Sequence, residues 1–319
     1  MVMTAKVTRF RAYQLGTAGS SFSYFADGHF TVIEGRLTEV NKPTLIAEMA
    51  VCKVEVADTL HITSWDADHC AAGELTNLLA LLSPRNIEAP GYLPSSDNGK
   101  KCAELIAGYE AVQRSSNRSV TVQYVSPAYI TGLKEAEALA FNNVFYHPRS
   151  IDPCCSNNNS TVKLFRSGSF NVLSLGDVES PNVSSYLRSQ TFLQRETDVM
   201  ILSHHGADNG FTNRPFLSKI APQLAICSSN YDNQYDHPCD PIRELLHERK
   251  IRLMTTKTGD VVVYSIGQHD GWFRAVNLKA DSTEVSSVVD YYAKKAGLLS
   301  FNRDTIRQLY AARPNYPRR

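Results

Sequence analysis

Thr63-Ser64-Trp65-Asp66-Ala67-Asp68-His69-Cys70 directly follows the apolar run 56–62 and directly precedes residues 71–79, where leucines recur at helical spacing. This order predicts a buried strand, a short loop dense in metal-ligand side chains, and then a helix. Asp66, Asp68 and His69 fall within four residues at the strand's C-terminal end. Side chains so placed can converge on one point and suit a divalent cation. The plainer alternative is that Asp68 caps the helix that follows. The rest of the chain decides between them.

Working outward, the 319 residues are 43% hydrophobic, enough for a large core in one domain or two. Charged residues make up 20% and the net charge is +1, which excludes a strongly basic nucleic-acid coat protein but leaves room for a local basic groove. No run of about eighteen apolar residues occurs, and the opening residues have no apolar signal core. The expectation is a chain that does not span a membrane. Seven cysteines at 52, 70, 102, 154, 155, 227 and 239 form no framework spacing and read as reduced thiols of a cytoplasmic protein.

Residues 7–15 and 22–34 alternate apolar and polar and predict an antiparallel opening sheet, while 36–55 is ambiguous. Beyond the Asp66–His69 loop come helix 73–82, strand 87–92, helix 99–113 and strand 120–125, an α/β rhythm. The second half continues it: a strand over 138–146 ending at His147-Pro148, strands 160–166 and 170–175 around a Ser167-Gly168 turn, and helix 181–193. Strand 198–202, a helix near 214–220, strand 223–227, helix 240–249 with Asp240 as cap, and strands 251–255 and 260–266 follow. Residues 285–296, with Val285, Val288, Val289, Tyr292 and Ala296 on one face, predict a helix, and 304–312 a second before a basic tail.

Four strand ends therefore carry Asp66/Asp68/His69, Asp177, His204/His205 and, after a loop, His237. Of the nine histidines, four lie in these loops, which accident explains poorly.

These residues resemble the metallo-β-lactamase fold, and more narrowly the metallo-hydrolase domain of ComEC-type DNA-uptake proteins, whose motif is His-x-Asp-x-Asp-His. Ser64-Trp65-Asp66-Ala67-Asp68-His69 matches its last three ligand positions. His147-Pro148 with Asn158-Asn159-Ser160, Leu175-Gly176-Asp177, Ser203-His204-His205-Gly206, Asn233-Gln234-Tyr235-Asp236-His237-Pro238 and Thr256-Lys257-Thr258-Gly259-Asp260 resemble later motifs in the same order, covering roughly residues 7–266. Ser64 replaces the first histidine, the acidic residues of the opening "D-V-G-x-G-D" are absent from Gln14–Gly19, and Ala71-Ala72 replaces a Gly-Gly pair.

The resemblance implies a four-layer αβ/βα sandwich over 1–280; outside it, a C-terminal helical extension and basic tail are expected over 281–319, and with no transmembrane or oligonucleotide-binding segment in the sequence the expectation is a free-standing relative. It implies hydrolysis of phosphodiester bonds, most naturally as a nuclease on DNA. Alternatives are a phosphodiesterase for a small cyclic nucleotide, or a degenerate scaffold that binds nucleic acid or protein. Metal ligands would come from Asp66, Asp68, His69, Asp177, His204 and His237, catalytic groups from Asp68, Asp177 and His205, and substrate contacts from Ser64, Asn159 and Lys257. Which of the three later histidines ligates, and which donates a proton or binds substrate, stays open. Three carboxylates favour Mn²⁺ or Mg²⁺, with Zn²⁺ also accommodated, at one or two ions per chain. Arg85, Lys100, Lys101, Arg114, Arg118, Arg149 and Arg166 are candidates to steer a phosphate backbone, and Trp65, Tyr146, Phe211, Tyr231 and Tyr235 to stack on bases. The C-terminal extension reads as a helical cap on the sheet, or as a docking element for a partner protein or a second copy.

Overall fold

The computed structural model describes residues 6–133 and 143–301. The opening antiparallel sheet forms as expected, from β1 (Thr8–Ala12), β2 (Phe22–Ala26) and β3 (His29–Ile33). The ambiguous stretch holds helix α1 (Asn41–Cys52), stopped by Lys53 in the left-handed conformation. β4 (Thr59–His61), α2 (Ala72–Leu82), β5 (Asn86–Pro90), α3 (Asp97–Ser115) and β6 (Thr121–Val125) then alternate as predicted. Ser96 caps α3 through its hydroxyl, which accepts the Gly99 N–H. A short helix, α4 (Pro127–Gly132), precedes β7 (Val144–His147), and the first part of the strand expected over 138–146 lies outside the described residues.

The second half runs β8 (Val162–Phe165), β9 (Val172–Ser174), α5 (Pro181–Arg188), α6 (Thr191–Glu196), β10 (Val199–Ile201), α7 (Arg214–Ile220), β11 (Leu224–Cys227) and α8 (Asp240–Glu248). It ends with β12 (Arg252–Thr255), β13 (Val261–Ser265), β14 (Trp272–Leu278), β15 (Val285–Tyr292) and α9 (Lys294–Phe301). The one helix expected over 181–193 is two, broken at Ser189-Gln190. Cys239, not Asp240, takes the cap position of α8, and Asp240 is its first residue.

The largest correction concerns the helix expected over 285–296: Val285–Tyr292 is edge strand β15, and helix begins only at Lys294. Its valines do fit helical spacing. They are also β-branched, and Val289 and Tyr291 point inward while Val288, Asp290 and Tyr292 point out, the period of a strand paired along β14. The extension therefore contributes sheet first and helix only from Lys294, and the helix expected over 304–312 lies outside the described residues.

One sheet has the order β15-β14-β13-β1-β2-β3-β4-β5-β6 and the other β12-β11-β10-β9-β8-β7. Phe10, Tyr24, Phe165, Phe170, Val199, Ile226, Val263 and Phe273 fill the space between them. On the outer face of the first sheet, Val32, Leu60 and Ile87 pack under Leu45, Leu75, Leu79 and Ile106 of α1–α3. On the outer face of the second, Leu173, Met200 and Ala225 pack under Leu187, Phe216, Leu217 and Leu246. The result is a four-layer αβ/βα sandwich, the architecture that the sequence resemblance implied. Alternation explains it: in β10, Val199 and Ile201 face the other sheet while Met200 faces the helices.

Each sheet changes from antiparallel to parallel pairing partway across, at β3–β4 in the first and β9–β10 in the second. The loops leaving β4, β9 and β10 start at those points. In open α/β sheets such strand ends are where ligands bind.

Candidate metal centre

The loop after β4 is a tight turn: the N–H groups of His69 and Cys70 both donate to the Asp66 carbonyl, at 3.0 and 2.8 Å. It is pinned to neighbouring loops by Gly35 N–H to the His69 carbonyl (2.6 Å) and Ser20 N–H to the Asp68 carbonyl (2.9 Å). Asp68 does not cap α2, because Ala71 holds that position without any side-chain bond. Asp177 follows Gly176, whose φ of +54° is left-handed and where a Cβ would stand 2.7 Å from the Ser160 Cβ. Beyond β10, His204 and His205 both adopt positive φ, 46° and 52°, ahead of Gly206 at 82°. For residues carrying a Cβ this costs on the order of 1 kcal/mol each. The kink turns the two adjacent imidazoles to different surroundings.

Among the described residues, one atom each from Asp68, His69, Asp177 and His205 lies within 4.8 Å of all the others. His69 Nε2 is 2.8 Å from Asp177 Oδ1, and His205 Nε2 is 3.2 Å from Asp68 Oδ2 and 4.0 Å from Asp177 Oδ2. Each histidine is held by its other nitrogen. His69 Nδ1 faces Glu34 Oε1 at 3.0 Å, and His205 Nδ1 donates to the Ser228 carbonyl at 2.8 Å. Those contacts fix the tautomer that leaves both Nε2 atoms for an ion. Buried His69 Nε2 finds no partner with hydrogen-bonding geometry, although it points into the cluster. Two imidazoles, one of them carrying this orphaned nitrogen, and two carboxylates fit a divalent metal ion.

The electrostatics are those of a compact charge cluster. Burial lowers the affinity of His69 for a proton, but Asp177, Glu34 and Asp68 overcome it and lift His69 well above the usual histidine range. His205 is likewise raised against its burial by Asp177 and Asp68. Burial would raise both carboxyls, yet the His69 charge together with His205 holds Asp68 and Asp177 below the usual carboxylate range. His237 goes the other way, to about 4, through burial and the charges of His205 and His204.

The remaining expected site residues are placed differently. Asp66 lies outside the cluster, with Oδ2 accepting from Ser64 Oγ at 2.8 Å. His204 and His237, expected as ligands, also lie outside it, whereas His205, expected as a catalytic group, is inside. His204 Nδ1 faces Glu179 Oε2 at 3.2 Å, and His237 Nδ1 faces Cys239 Sγ at 3.3 Å. Ser64 and Asn159 were expected to touch substrate, but both are buried: Ser64 Oγ is shared between Asp66 and the Tyr92 hydroxyl, and the Asn159 amide bonds the Asp152 backbone. Lys257 Nζ lies 3.7 Å from Asp236. Arg166 cannot steer a phosphate, since it is fully buried and paired with Glu196. Trp65, Tyr146 and Phe211 are buried too, which leaves Tyr231 and Tyr235 exposed. All seven cysteines are free thiols. Glu34 is the residue that sequence reasoning missed. Its only signal is an acid following an apolar strand, Phe30–Ile33, where a turn would otherwise carry it into water.

No family model matches the chain. ComE operon protein 3 of Bacillus subtilis (strain 168) is 24% identical over 237 residues, 73% of this chain and 28% of that protein. Competence protein ComA of Neisseria gonorrhoeae is 26% identical over 124 residues, 39% of this chain and 18% of that protein. The chain thus matches under a third of the length of either. Among solved structures, the metallo-β-lactamase fold protein YhfI from Bacillus subtilis aligns over 80% of this chain and 99% of its own, with a TM-score of 0.44 and 13% identity. Among the described residues no helix is long and apolar enough to cross a membrane.

Proposed function

We propose that the chain is a metal-dependent hydrolase of phosphodiester bonds acting on DNA. The observation that carries this is the Asp68–His69–Asp177–His205 cluster, with each imidazole oriented by a contact behind it. The sequence similarity to competence proteins supports DNA as the substrate. A divalent ion held there would supply a Lewis acid for a phosphoryl oxygen and acidify a water molecule. Asp68 and Asp177 place negative charge to retain the ion, and Glu34 and the Ser228 carbonyl keep His69 and His205 aimed at it. His204, outside the cluster and partly exposed beside Glu179, is available to exchange a proton with the leaving oxygen.

The Ser64–Asp66 contact supports a single ion rather than a pair. A hydroxyl stands in place of an imidazole, Asp66 Oδ2 accepts from it, and Asp66 is not among the four clustered groups. Metal content of the purified protein, with cleavage of linear DNA in Mn²⁺, Mg²⁺ and Zn²⁺ against Asp68→Ala, tests the reading. About one ion per chain and metal-dependent cleavage lost in the variant are expected. Bound metal without cleavage of DNA would move the substrate to a small phosphodiester. Neither metal nor cleavage would leave a binding scaffold.

A further inference from the structure

Three rings lead out of the metal centre like offset steps. His205 belongs to the cluster, His237 lies 6.4 Å away with its plane within 10°, and Tyr235 lies 5.6 Å from His237 with its plane within 20°. Exposure rises along the row, from 11% for the His205 side chain to 66% for Tyr235. Asn233 braces the outer steps: its Oδ1 accepts the His237 N–H at 2.6 Å, and its Nδ2 donates to the carbonyls of Asn230 and His237 at 2.9 and 3.1 Å. Tyr235 is therefore held nearly parallel to the two imidazoles, with most of its surface in water.

We propose, resting on the phosphodiesterase reading, that Tyr235 is a specificity-determining platform for a nucleobase flanking the scissile phosphate, and that the substrate strand is single-stranded or frayed there. A phenol ring in water offers an apolar face to any base, whatever its identity. In an intact duplex both faces of an interior base are covered by its neighbours, so the base must be unstacked to reach the ring. Among the described aromatics expected to stack on bases, Trp65, Tyr146 and Phe211 are buried. Tyr231 is exposed in the same loop, yet no contact joins its ring to this row among the described residues. That makes it the natural control.

The test compares cleavage of a single-stranded thymidine oligonucleotide with an abasic strand of equal length, in Mn²⁺. The native protein should prefer the base-bearing strand by roughly tenfold in kcat/KM, the worth of one stacked base. Tyr235→Ala should lose that preference through KM with kcat largely kept, while Tyr235→Phe and Tyr231→Ala retain it. A preference that survives in Tyr235→Ala, an equal loss in Tyr231→Ala, or no preference in the native protein would overturn the proposal and leave the nuclease reading standing. Failure of the native protein to cleave either strand would overturn both.

Discussion

Replacing Glu34 by glutamine isolates what the carboxylate behind His69 contributes, because shape is nearly kept while one oxygen becomes a donor. Three groups converge on Glu34: Thr63 Oγ1 at 2.6 Å and His69 Nδ1 at 3.0 Å on Oε1, and the Thr63 N–H at 3.0 Å on Oε2. A glutamine can accept on one side only. If its oxygen serves His69, its amide N–H group faces the Thr63 N–H, and if it turns over, His69 loses its acceptor. Either way one buried donor is left without a partner, at about 1–3 kcal/mol of folding stability. Loss of such a contact behind a metal-ligating histidine costs about 10- to 100-fold in metal affinity, or about 1.4–2.7 kcal/mol. Calorimetric titration with Mn²⁺ or Zn²⁺, on protein shown folded by circular dichroism, measures it. A dissociation constant within about twofold of the native value, beside an Asp177→Asn variant that loses the metal, would refute the role given to Glu34.

Asp66→Asn should change metal affinity less than about threefold while Asp177→Asn lowers it at least a hundredfold, since by titration only the latter removes a group of the cluster. Gly176→Ala should destabilise by about 2 kcal/mol or more, from a left-handed φ and a 2.7 Å approach to Ser160, and urea unfolding would show it. His69 and His205 are both raised by the carboxylates around them, so their ion pairs stabilise the metal-free protein fully below about 6.5, an effect lost as pH rises through the raised values. An indicator dye should therefore record roughly one to two protons released per ion bound, with affinity weakening as pH falls. Glu88, buried but held at about 2 by Lys163 and His61, contributes about 3 kcal/mol that is present above about 4.5 and lost as pH falls through 2. Glu88→Gln should flatten the acid limb of the stability curve over that window.

Much of the fold could be read from local pattern, because strand alternation and helix spacing act over a few residues. Asp68, His69 and Asp177 stood out for the same reason, since each sits at the end of a short apolar strand. The choice among the later histidines was not legible. His204 and His205 are neighbours in sequence, and only the two left-handed torsions send one into the cluster and the other toward Glu179. Glu34 escaped notice because its meaning depends on Thr63 and His69, some thirty residues on. Ser64 misled in a different way: a hydroxyl in a ligand-rich loop reads as a substrate contact until Tyr92 and Asp66 are seen to use it fully. In 285–292 helical spacing and strand composition compete, and the free edge of β14 decides for the strand.

The place of β1 in its sheet has a consequence for how the chain comes into being. Its one side pairs with β2, from Ala12 with Phe22 to Thr8 with Ala26, but the other waits for β13, where Thr8 meets Ser265 across 257 positions. At roughly 5–20 residues per second, a ribosome takes about 13–50 s to supply that partner. Through that interval a row of open backbone groups beside Phe10 and Phe22 stands ready to pair with any other nascent strand. The hazard of aggregation thus belongs to the newborn chain rather than the finished one. A slower supply of the last sixty residues, by rare codons or cold, should lower soluble yield without touching the stability of the protein that escapes.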